Sequence, residues 1–286
     1  MDGYPVDRSF FDEMRHPGTF HGNRGVSGGK VAPMSQPKPP TARHVRAALR
    51  ALQDPARALS SACFFKTGKG QYGEGDSFLG VTVPAQRAVA RAHRGLPLPE
   101  IEALLASAMH EDRLTALLIL VDAYARGDED AKQACFDLYL RNLARVNSWD
   151  LVDTSAHLIV GAYLATRARR ILRKLARSTT LWERRVAMIA TLAFIRAGES
   201  KDAFEIATLL LGDEQDLMHK AVGWMLREVG KHVGEEPLRG FLKEHAAEMP
   251  RTALRYAIER FPAEERAIWL GVKRQPAVRG QILRGA

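Results

Sequence analysis

The sequence repeats one helical pattern at an interval of about 36 residues, and this repeat restricts the fold more than any other feature. Three basic residues each stand 14 residues before a glycine: Arg113 before Gly127, Arg184 before Gly198, and Lys220 before Gly234. The last two copies are 36 residues apart, and the first two are 71 residues apart. The missing copy falls near Trp149, after Asn147 and Ser148, which are good N-cap residues. This interval predicts a solenoid of helix pairs of the HEAT or armadillo class, and the alternative is a chance agreement among glycines that end unrelated helices.

Apolar residues recur at helical spacing from Ala42 to about Gly271, with short breaks between the helical segments. No run of alternating Val, Ile and Thr is long enough to predict a sheet. We therefore predict an all-α fold, a HEAT-like or armadillo-type helical repeat solenoid, in residues 42–271. Residues 1–41 are rich in Gly, Pro, Ser and His and are predicted to form a disordered tail, and residues 272–286 a basic C-terminal tail.

One segment departs from the helical pattern. Phe64 to Pro84 contains five glycines and is predicted to be a loop, with Pro84 in the first turn of the next helix. Some glycine-rich loops bind phosphates, but this one lacks the G-x-x-x-x-G-K-S/T spacing. A plain connector is therefore the more usual interpretation of the segment.

The net charge of +9 favours an acidic partner, with nucleic acid first and an anionic membrane surface second. A generic basic protein is the alternative that composition leaves open. Cys63 and Cys135 do not have the spacing of a zinc site or of a disulfide framework, so we expect a reducing, cytoplasmic compartment. No apolar stretch has the length of a membrane span. We expect a monomer without a membrane partner, associated with the nucleoid when it is bound to DNA.

The repeat places candidate chemistry in one register. Trp149 occupies the position of Lys220, and Asp153 and Trp224 follow these residues by four positions. Arg227 stands three positions after Trp224. Because positions i, i+4 and i+7 share a helix face, stacked repeats would bring the two faces to one side of the solenoid. Each residue taken singly is more often core or solvated surface, but their shared register favours a site.

A dense basic run lies between these two faces. Its eight cations fall within 19 residues: Arg167, Arg169, Arg170, Arg173, Lys174, Arg177, Arg184 and Arg185. This density is sufficient to bind several phosphates, and a solvated helical surface is the alternative. No recognition helix or zinc finger is present, so we expect binding to the DNA backbone and shape rather than to base sequence.

Several segments together resemble the AlkD-like DNA alkylation repair family. They are NSWDLVDTSA (147–156), LWERRVAMIATLAF (181–194), HKAVGWMLREVGK (219–231), FLGVTVPAQR (78–87) and MPRTALRYAIERFP (249–262). The resemblance covers about residues 42–262, and the W-D-x-V-D and K-A-x-G-W-x-L-R-E strings carry most of its specificity.

The resemblance implies a HEAT-like fold whose basic concave face holds duplex DNA, and an activity that hydrolyses the N-glycosidic bond of N3- and N7-alkylated purines. Carried onto this sequence, it implies that Asp153 is the catalytic residue and that Trp149 and Trp224 line the lesion. Arg185 and Arg227 are the arginines that it implies for the DNA backbone. Arg184 and Lys220 share the repeat register with these residues and are also predicted to bind DNA.

Three features depart from the family pattern. The N-terminal tail has no counterpart in the family, and the glycine-rich segment is longer. In the early loop, Thr82 and Val83 stand where polar residues are expected.

A single carboxylate suits this chemistry, because a cationic alkylated purine is already a good leaving group and needs no general acid. Asp153 would stabilise the oxocarbenium-like state and orient the attacking water. The mechanism needs neither a metal nor an organic cofactor. One alternative is a non-catalytic HEAT-like protein that binds distorted or branched DNA by its shape. Another is a HEAT-type protein–protein scaffold, which predicts weak DNA binding with little salt dependence.

Overall fold

The computed structural model describes residues 40–275, and its regular structure is helical. The helices, numbered in chain order, are α1 (Ala42–Arg50), α2 (Pro55–Phe64), α3 (Val83–Ala92), α4 (Leu98–Leu105), α5 (His110–Arg126), α6 (Glu129–Arg141), α7 (Trp149–Ala156), α8 (Ala162–Leu164), α9 (Arg170–Ala176), α10 (Leu181–Ala190), α11 (Leu192–Arg196), α12 (Lys201–Leu210), α13 (Asp216–His232), α14 (Glu235–His245), α15 (Arg251–Ala257) and α16 (Ala263–Gly271). A 3-10 turn at Leu143–Arg145 precedes α7, and a π-helical turn at His157–Gly161 joins α7 to α8.

The helices from α4 onward pack as successive pairs in two layers. The second helices of the pairs form one row in which α5 packs on α7, α7 on α10, α10 on α13, and α13 on α15. Helices α4, α6, α9, α12 and α14 pack against this row as the other layer, each on its own or a neighbouring second helix. This arrangement confirms the prediction of a helical repeat solenoid for the described residues.

The row of second helices, which we call the inner row, is buried because helices cover it on more than one side. Every residue of α7 after Trp149 is buried, and so are the apolar side chains of α10 such as Val186, Met188 and Ile189. A buried position on such a helix meets close-packed neighbours, and a polar side chain there must find its hydrogen-bond partners within the protein. Buried polar side chains on the inner row therefore form hydrogen bonds and ion pairs within the protein.

The boundaries expected from the sequence agree with the helices. The first described helix begins at Ala42 and the last ends at Gly271, and Pro84 is the second residue of α3. Within residues 40–275 there is no strand, and one isolated bridge joins Ser77 to Met109.

The predicted repeat boundaries also agree with the structure. A helix begins at Trp149, and Gly127 is the C-cap of α5. Gly198 and Gly234 follow α11 and α13 in positive-φ conformations that glycine adopts without strain. Ser148 is the N-cap residue of α7, but its side chain makes no capping hydrogen bond.

The two predicted tails lie mostly outside the described residues, which exclude residues 1–39 and 276–286. None of the described helices combines the length and apolar character that crossing a bilayer requires.

Two glycines allow neighbouring second helices to approach closely. A Cβ added at Gly161 would lie 2.2 Å from the carbonyl oxygen of Ala190, and one added at Gly223 would lie 2.4 Å from that of Ala253. Both contacts are with backbone, which cannot rotate away as a flexible side chain can. Gly161 therefore fixes the approach of the α7 repeat to α10, and Gly223 fixes the approach of α13 to α15.

Candidate active site

Asp153 and Arg185 form a buried ion pair between α7 and α10. The guanidinium Nε of Arg185 donates to Oδ1 of Asp153 at 2.9 Å, and Nη2 donates to Oδ2 at 2.8 Å. The Asp153 side chain is 0% exposed and that of Arg185 is 5% exposed. Burial raises the pKa of Asp153, while Arg185 opposes the rise through its charge and its hydrogen bonds. These two hydrogen bonds fix the orientation of the carboxylate, and the guanidinium compensates its charge.

Arg185 also connects this pair to the next repeat. Its Nη1 donates to the carbonyl oxygen of Leu217 in the first turn of α13. One arginine thus links α7, α10 and α13, which carry the candidate residues predicted from the sequence. His157, one turn after Asp153, is not a cation here, because burial, followed by the effect of Arg196, lowers its pKa to about 3.

Trp149, the first residue of α7, packs in a cluster of aromatic rings from the glycine-rich loop. Its ring stacks on Phe65 with centroids 5.5 Å apart, and Phe64 meets its edge at 6.0 Å. Phe65 in turn stacks on Phe78 at 5.1 Å. Phe64 is 49% exposed, so the cluster places an apolar surface beside Trp149 at the edge of the protein.

The glycine-rich segment therefore does more than connect two helices. It is a loop, as predicted, but its two ends supply the rings around Trp149. Between them, Tyr72 contacts the edge of Trp182 in the first turn of α10 at 6.1 Å and donates its hydroxyl to the carbonyl of Phe64 at 3.3 Å. The loop lies across the N-terminal ends of α7 and α10, so the interpretation of the segment as a plain connector is incomplete.

The start of α5 joins this loop to α7. His110, Glu111, Asp112 and Arg113 are consecutive charged or titratable residues, and all four are at most 3% exposed. We call these four residues the polar hub. A run of four such residues at a helix start is usually solvated, and its burial requires that each side chain have partners within the protein.

His110 contributes to the polar hub by meeting two carboxylates. Its Nδ1 lies 2.9 Å from Oδ2 of Asp76 in the loop, and its Nε2 lies 2.7 Å from Oδ2 of Asp150 in α7. Burial lowers the pKa of His110, but the charge of Asp150 and the hydrogen bonds of both aspartates outweigh this effect and raise the pKa to about 9. The ring is therefore an imidazolium at neutral pH.

Glu111 fixes the far end of the loop. Its carboxylate accepts three successive backbone N–H groups, from Leu79 at 2.9 Å, Gly80 at 2.8 Å and Val81 at 3.2 Å. Gly80 has a φ of +78°, and an added Cβ there would lie 2.2 Å from the carbonyl oxygen of Asp54. A residue with a side chain is excluded at Gly80 on both grounds.

Arg113 and Arg184 perform the same structural task in two repeats. Arg113 donates to the carbonyls of the residues five and six positions before it and to Asp76 in the preceding loop at 2.6 Å. Arg184 donates to the carbonyls five and six positions before it, and to Asp213 at 2.6 Å. At this position of the repeat, the arginine therefore fixes the backbone between two helices. A DNA phosphate would have to compete with its bonds to the carbonyls and the aspartate.

Helix α13 carries the remaining predicted residues. Trp224 is half-buried and its Nε1 donates to Glu228 at 3.2 Å. Lys220 pairs with Asp216 at 2.8 Å, and Arg227 pairs with Glu259 and lies 3.6 Å from Glu228. These pairs involve acids that are partly exposed, apart from Glu228, and such pairs contribute little stability.

The basic run is partly neutralised by acids from neighbouring helices. Five of its eight members are in ion pairs: Arg167 with Glu129, Arg169 with Glu199 and Asp202, Arg173 with Glu205, Arg184 with Asp213, and Arg185 with Asp153. Arg170, Lys174 and Arg177 are exposed. Fewer cations of this run are exposed without a carboxylate partner than the sequence suggested.

The assignment of these residues to catalysis and DNA binding stays a prediction. The structure places Trp149, Asp153, Arg185 and Trp224 on three adjacent inner helices. Sequence reasoning missed the polar hub and the aromatic ring cluster. The pair Phe64-Phe65 and the single Phe78 flank the glycines and were a usable signal, because aromatic residues at both ends of a loop favour packing against one another.

Comparisons with known proteins agree with the resemblance noted in the sequence. The sequence model of one family, described as DNA alkylation repair enzyme, matches residues 45–261. A solved structure from Enterococcus faecalis, described as a predicted DNA alkylation repair enzyme, is similar with a TM-score of 0.58 and 19% identity. That similarity covers 74% of this chain and 97% of the other, and at this identity it concerns the fold alone. A search of curated proteins returned no significant match.

Proposed function

The chain belongs to the DNA alkylation repair enzyme family, and from that premise we propose that it is a DNA glycosylase acting on N3- and N7-alkylated purines in duplex DNA. The observation that carries the proposal is the Asp153 carboxylate, which lies four residues after Trp149 on α7. Two hydrogen bonds from Arg185 orient this carboxylate. A carboxylate held in this way is suited to stabilise positive charge that develops on a sugar.

The proposed reaction uses the charge of the substrate. Alkylation at N3 or N7 makes the purine cationic, so the C1′–N bond breaks with the base leaving as a neutral molecule. The sugar becomes oxocarbenium-like, and a water adds to C1′ and loses a proton. Asp153 stabilises the sugar cation and orients this water. The faces of Trp149 and Trp224 favour the cationic sugar or base by about 0.5–2 kcal/mol each.

Arg185 has a proposed part in both binding and chemistry. Its bonds to Asp153 and to the carbonyl of Leu217 use three of the five N–H groups of a guanidinium. A DNA phosphate at the two other N–H groups would draw Arg185 toward the backbone and loosen its hold on Asp153. Binding of the substrate would then expose the carboxylate that is covered in the absence of DNA.

A second candidate function is a non-catalytic protein that binds distorted or branched DNA by shape. The complete burial of the Asp153 side chain favours it, because a structural ion pair needs no access to a substrate. On this alternative, Asp153 and Arg185 hold α7 and α10 together, and exposed cations such as Lys174 contact the phosphates.

The experiment that separates these functions measures release of 7-methylguanine and 3-methyladenine from methylated duplex DNA. It compares the wild type, Asp153→Asn, and the matched control Asp137→Asn at an exposed position of α6. We expect release by the wild type and the control, and a loss of about 10²–10³-fold in Asp153→Asn with DNA binding retained. Binding without release by any of the three proteins would identify the non-catalytic function.

A further inference from the structure

His110 occupies the point at which the glycine-rich loop meets the start of α7. Its two ring nitrogens lie 2.9 Å and 2.7 Å from carboxylate oxygens of Asp76 and Asp150. The three side chains are 3%, 6% and 2% exposed. A neutral imidazole has a single N–H and donates to one acceptor, whereas an imidazolium donates to both. Contact of both ring nitrogens with carboxylate oxygens therefore favours a positive charge on the His110 ring.

The two aspartates that contact His110 differ in their cationic partners. Arg113, from the same helix, donates to Asp76 at 2.6 Å, so Asp76 has two cationic partners. Among the described ion pairs, the cation that meets Asp150 is His110. The neighbouring Glu111 directs its carboxylate to backbone amides of the loop instead. Compensation of the Asp150 charge thus depends on His110.

Aromatic rings cover the imidazolium on the loop side. The centroids of Phe65 and Phe78 lie 4.8 Å and 4.7 Å from that of His110. Phe65 also stacks on Trp149, which places His110 one ring away from a predicted site residue. Aromatic faces favour a cation over a neutral ring, so this packing supports the charged form.

Asp150 in turn lies one helical turn from Asp153 on the same side of α7. Burial raises the pKa of Asp153, Arg185 opposes this rise, and the charge of Asp150 adds to it. The protonation state of Asp153 therefore depends, through the charge of Asp150, on the cation His110.

We propose that His110 is a positioning residue for the excision reaction: held between Asp76 and Asp150, it fixes the first turn of α7 and screens Asp153 from the charge of Asp150. The catalytic part of this inference rests on the proposed glycosylase function. The screening part concerns the protein without substrate and is measured separately.

The test uses the full chain labelled with carboxyl-¹³C aspartate and follows the titration of Asp153, whose signal is identified by its loss in Asp153→Asn. The variants are His110→Gln, the double variant His110→Gln/Asp150→Asn, and His93→Gln. His93, at the C-terminal end of α3, bonds to the carbonyl of Val89 and provides a matched control. Single-turnover release of 7-methylguanine and DNA affinity are measured on the same proteins across pH.

We expect the Asp153 midpoint to rise by about one pH unit or more in His110→Gln, and to return toward the wild-type value when Asp150 is also neutral. The acidic limb of the excision profile should move with this midpoint while DNA affinity stays constant. His93→Gln should match the wild type in both measurements. A merely structural role for His110 would leave the Asp153 midpoint unchanged in His110→Gln.

An unchanged Asp153 midpoint in His110→Gln, or an equal rise in the single and double variants, would overturn the inference. If the Asp153 midpoint rises in His110→Gln but the wild type releases no base, the result would support the screening and reject the glycosylase function. If His110→Gln does not fold, the wild type provides the test. In protein labelled with ¹⁵N-histidine, both ring nitrogens of His110 should be protonated at neutral pH and one should lose its proton as pH passes about 9, and a neutral His110 ring at pH 7 would overturn the inference.

Discussion

Asp150 and Asp153 stand one helical turn apart on α7, and each buried carboxylate is paired with a cation from a different helix. His110 reaches Asp150 from α5, and Arg185 reaches Asp153 from α10. The helix that carries two predicted site residues is therefore held on both flanks by ion pairs. Buried pairs of this kind contribute little net stability, but the loss of one partner is costly because the other is left as an isolated charge.

The first prediction concerns the removal of Arg185. Arg185→Ala leaves the Asp153 charge buried without its partner, and we expect the free energy of unfolding to fall by about 3–5 kcal/mol at neutral pH. Arg170→Ala, at an exposed position of α9, should change it by less than about 0.5 kcal/mol. Urea denaturation of the three proteins measures both effects.

The pH dependence of the Arg185→Ala deficit identifies its cause. The pKa of Asp153 is raised by burial, and it rises further when the guanidinium is removed. As pH falls through this raised pKa, Asp153 becomes neutral and the penalty of its buried charge disappears. The deficit should therefore shrink in acid, and a deficit that stays constant with pH would point to lost packing instead.

His110 gives the second prediction, a stability that declines as the solution becomes alkaline. The pKa of His110 is about 9 in the folded protein and about 6.5 for an unperturbed histidine, so the folded state binds the proton more tightly. The resulting stabilisation is complete below pH 6.5 and is lost as pH rises to about 9. Its size is about 3 kcal/mol. The difference in unfolding free energy between wild type and His110→Gln should decrease by that amount across this interval.

Arg184 and Arg227 provide a matched pair for DNA binding. We expect Arg227→Gln to reduce the slope of log Kobs against log salt by about 0.9, as the loss of one phosphate contact does. Arg184→Gln should leave the slope unchanged and lower the free energy of unfolding by about 1.5–3 kcal/mol, because its guanidinium binds Asp213 and two carbonyls. A reduced slope in Arg184→Gln would instead identify Arg184 as the DNA contact that its register predicted.

Gly223 supports a prediction about the spacing of repeats. In Gly223→Ala the new methyl group would lie 2.4 Å from the carbonyl oxygen of Ala253 and 2.5 Å from Cβ of Tyr256. We expect a destabilisation of about 1–3 kcal/mol or more, since backbone must move. Gly240→Ala, in α14 with open space around it, should stabilise the protein by about 0.5–1 kcal/mol. Thermal unfolding of the two variants measures the contrast.

The fold was largely predictable from the sequence because local patterns specify it. Helical spacing of apolar residues placed the start of the first described helix near Ala42 and the end of the last described helix near Gly271, and the proline rule placed Pro84 in the first turn of α3. The repeat register also located the start of α7 at Trp149. Each of these inferences uses residues that are close together in the chain.

The polar environment of the candidate site was not predictable by the same route. His110 finds its partners 34 and 40 residues away, at Asp76 and Asp150. A run of four charged or titratable residues at the start of a helix normally faces water, and nothing local shows that α5 buries it. The register also marked Arg184, whose role depends on Asp213, 29 residues later. Long-range pairing of charges decides these cases, and spacing along one helix does not encode it.

The carboxylate of Glu111 has a consequence for how this chain can diverge. The loop is fixed at Leu79 and its neighbours by that carboxylate, and the N–H of Gly73 donates to the carbonyl of Lys66, which closes its other part. Residues 68–71 lie beyond this closure and before Tyr72, and doubling the length of such a segment costs only about 0.6 kcal/mol. Insertions and deletions in residues 68–71 should therefore be tolerated, so related sequences can vary in length there while Phe65 and Phe78 keep their positions.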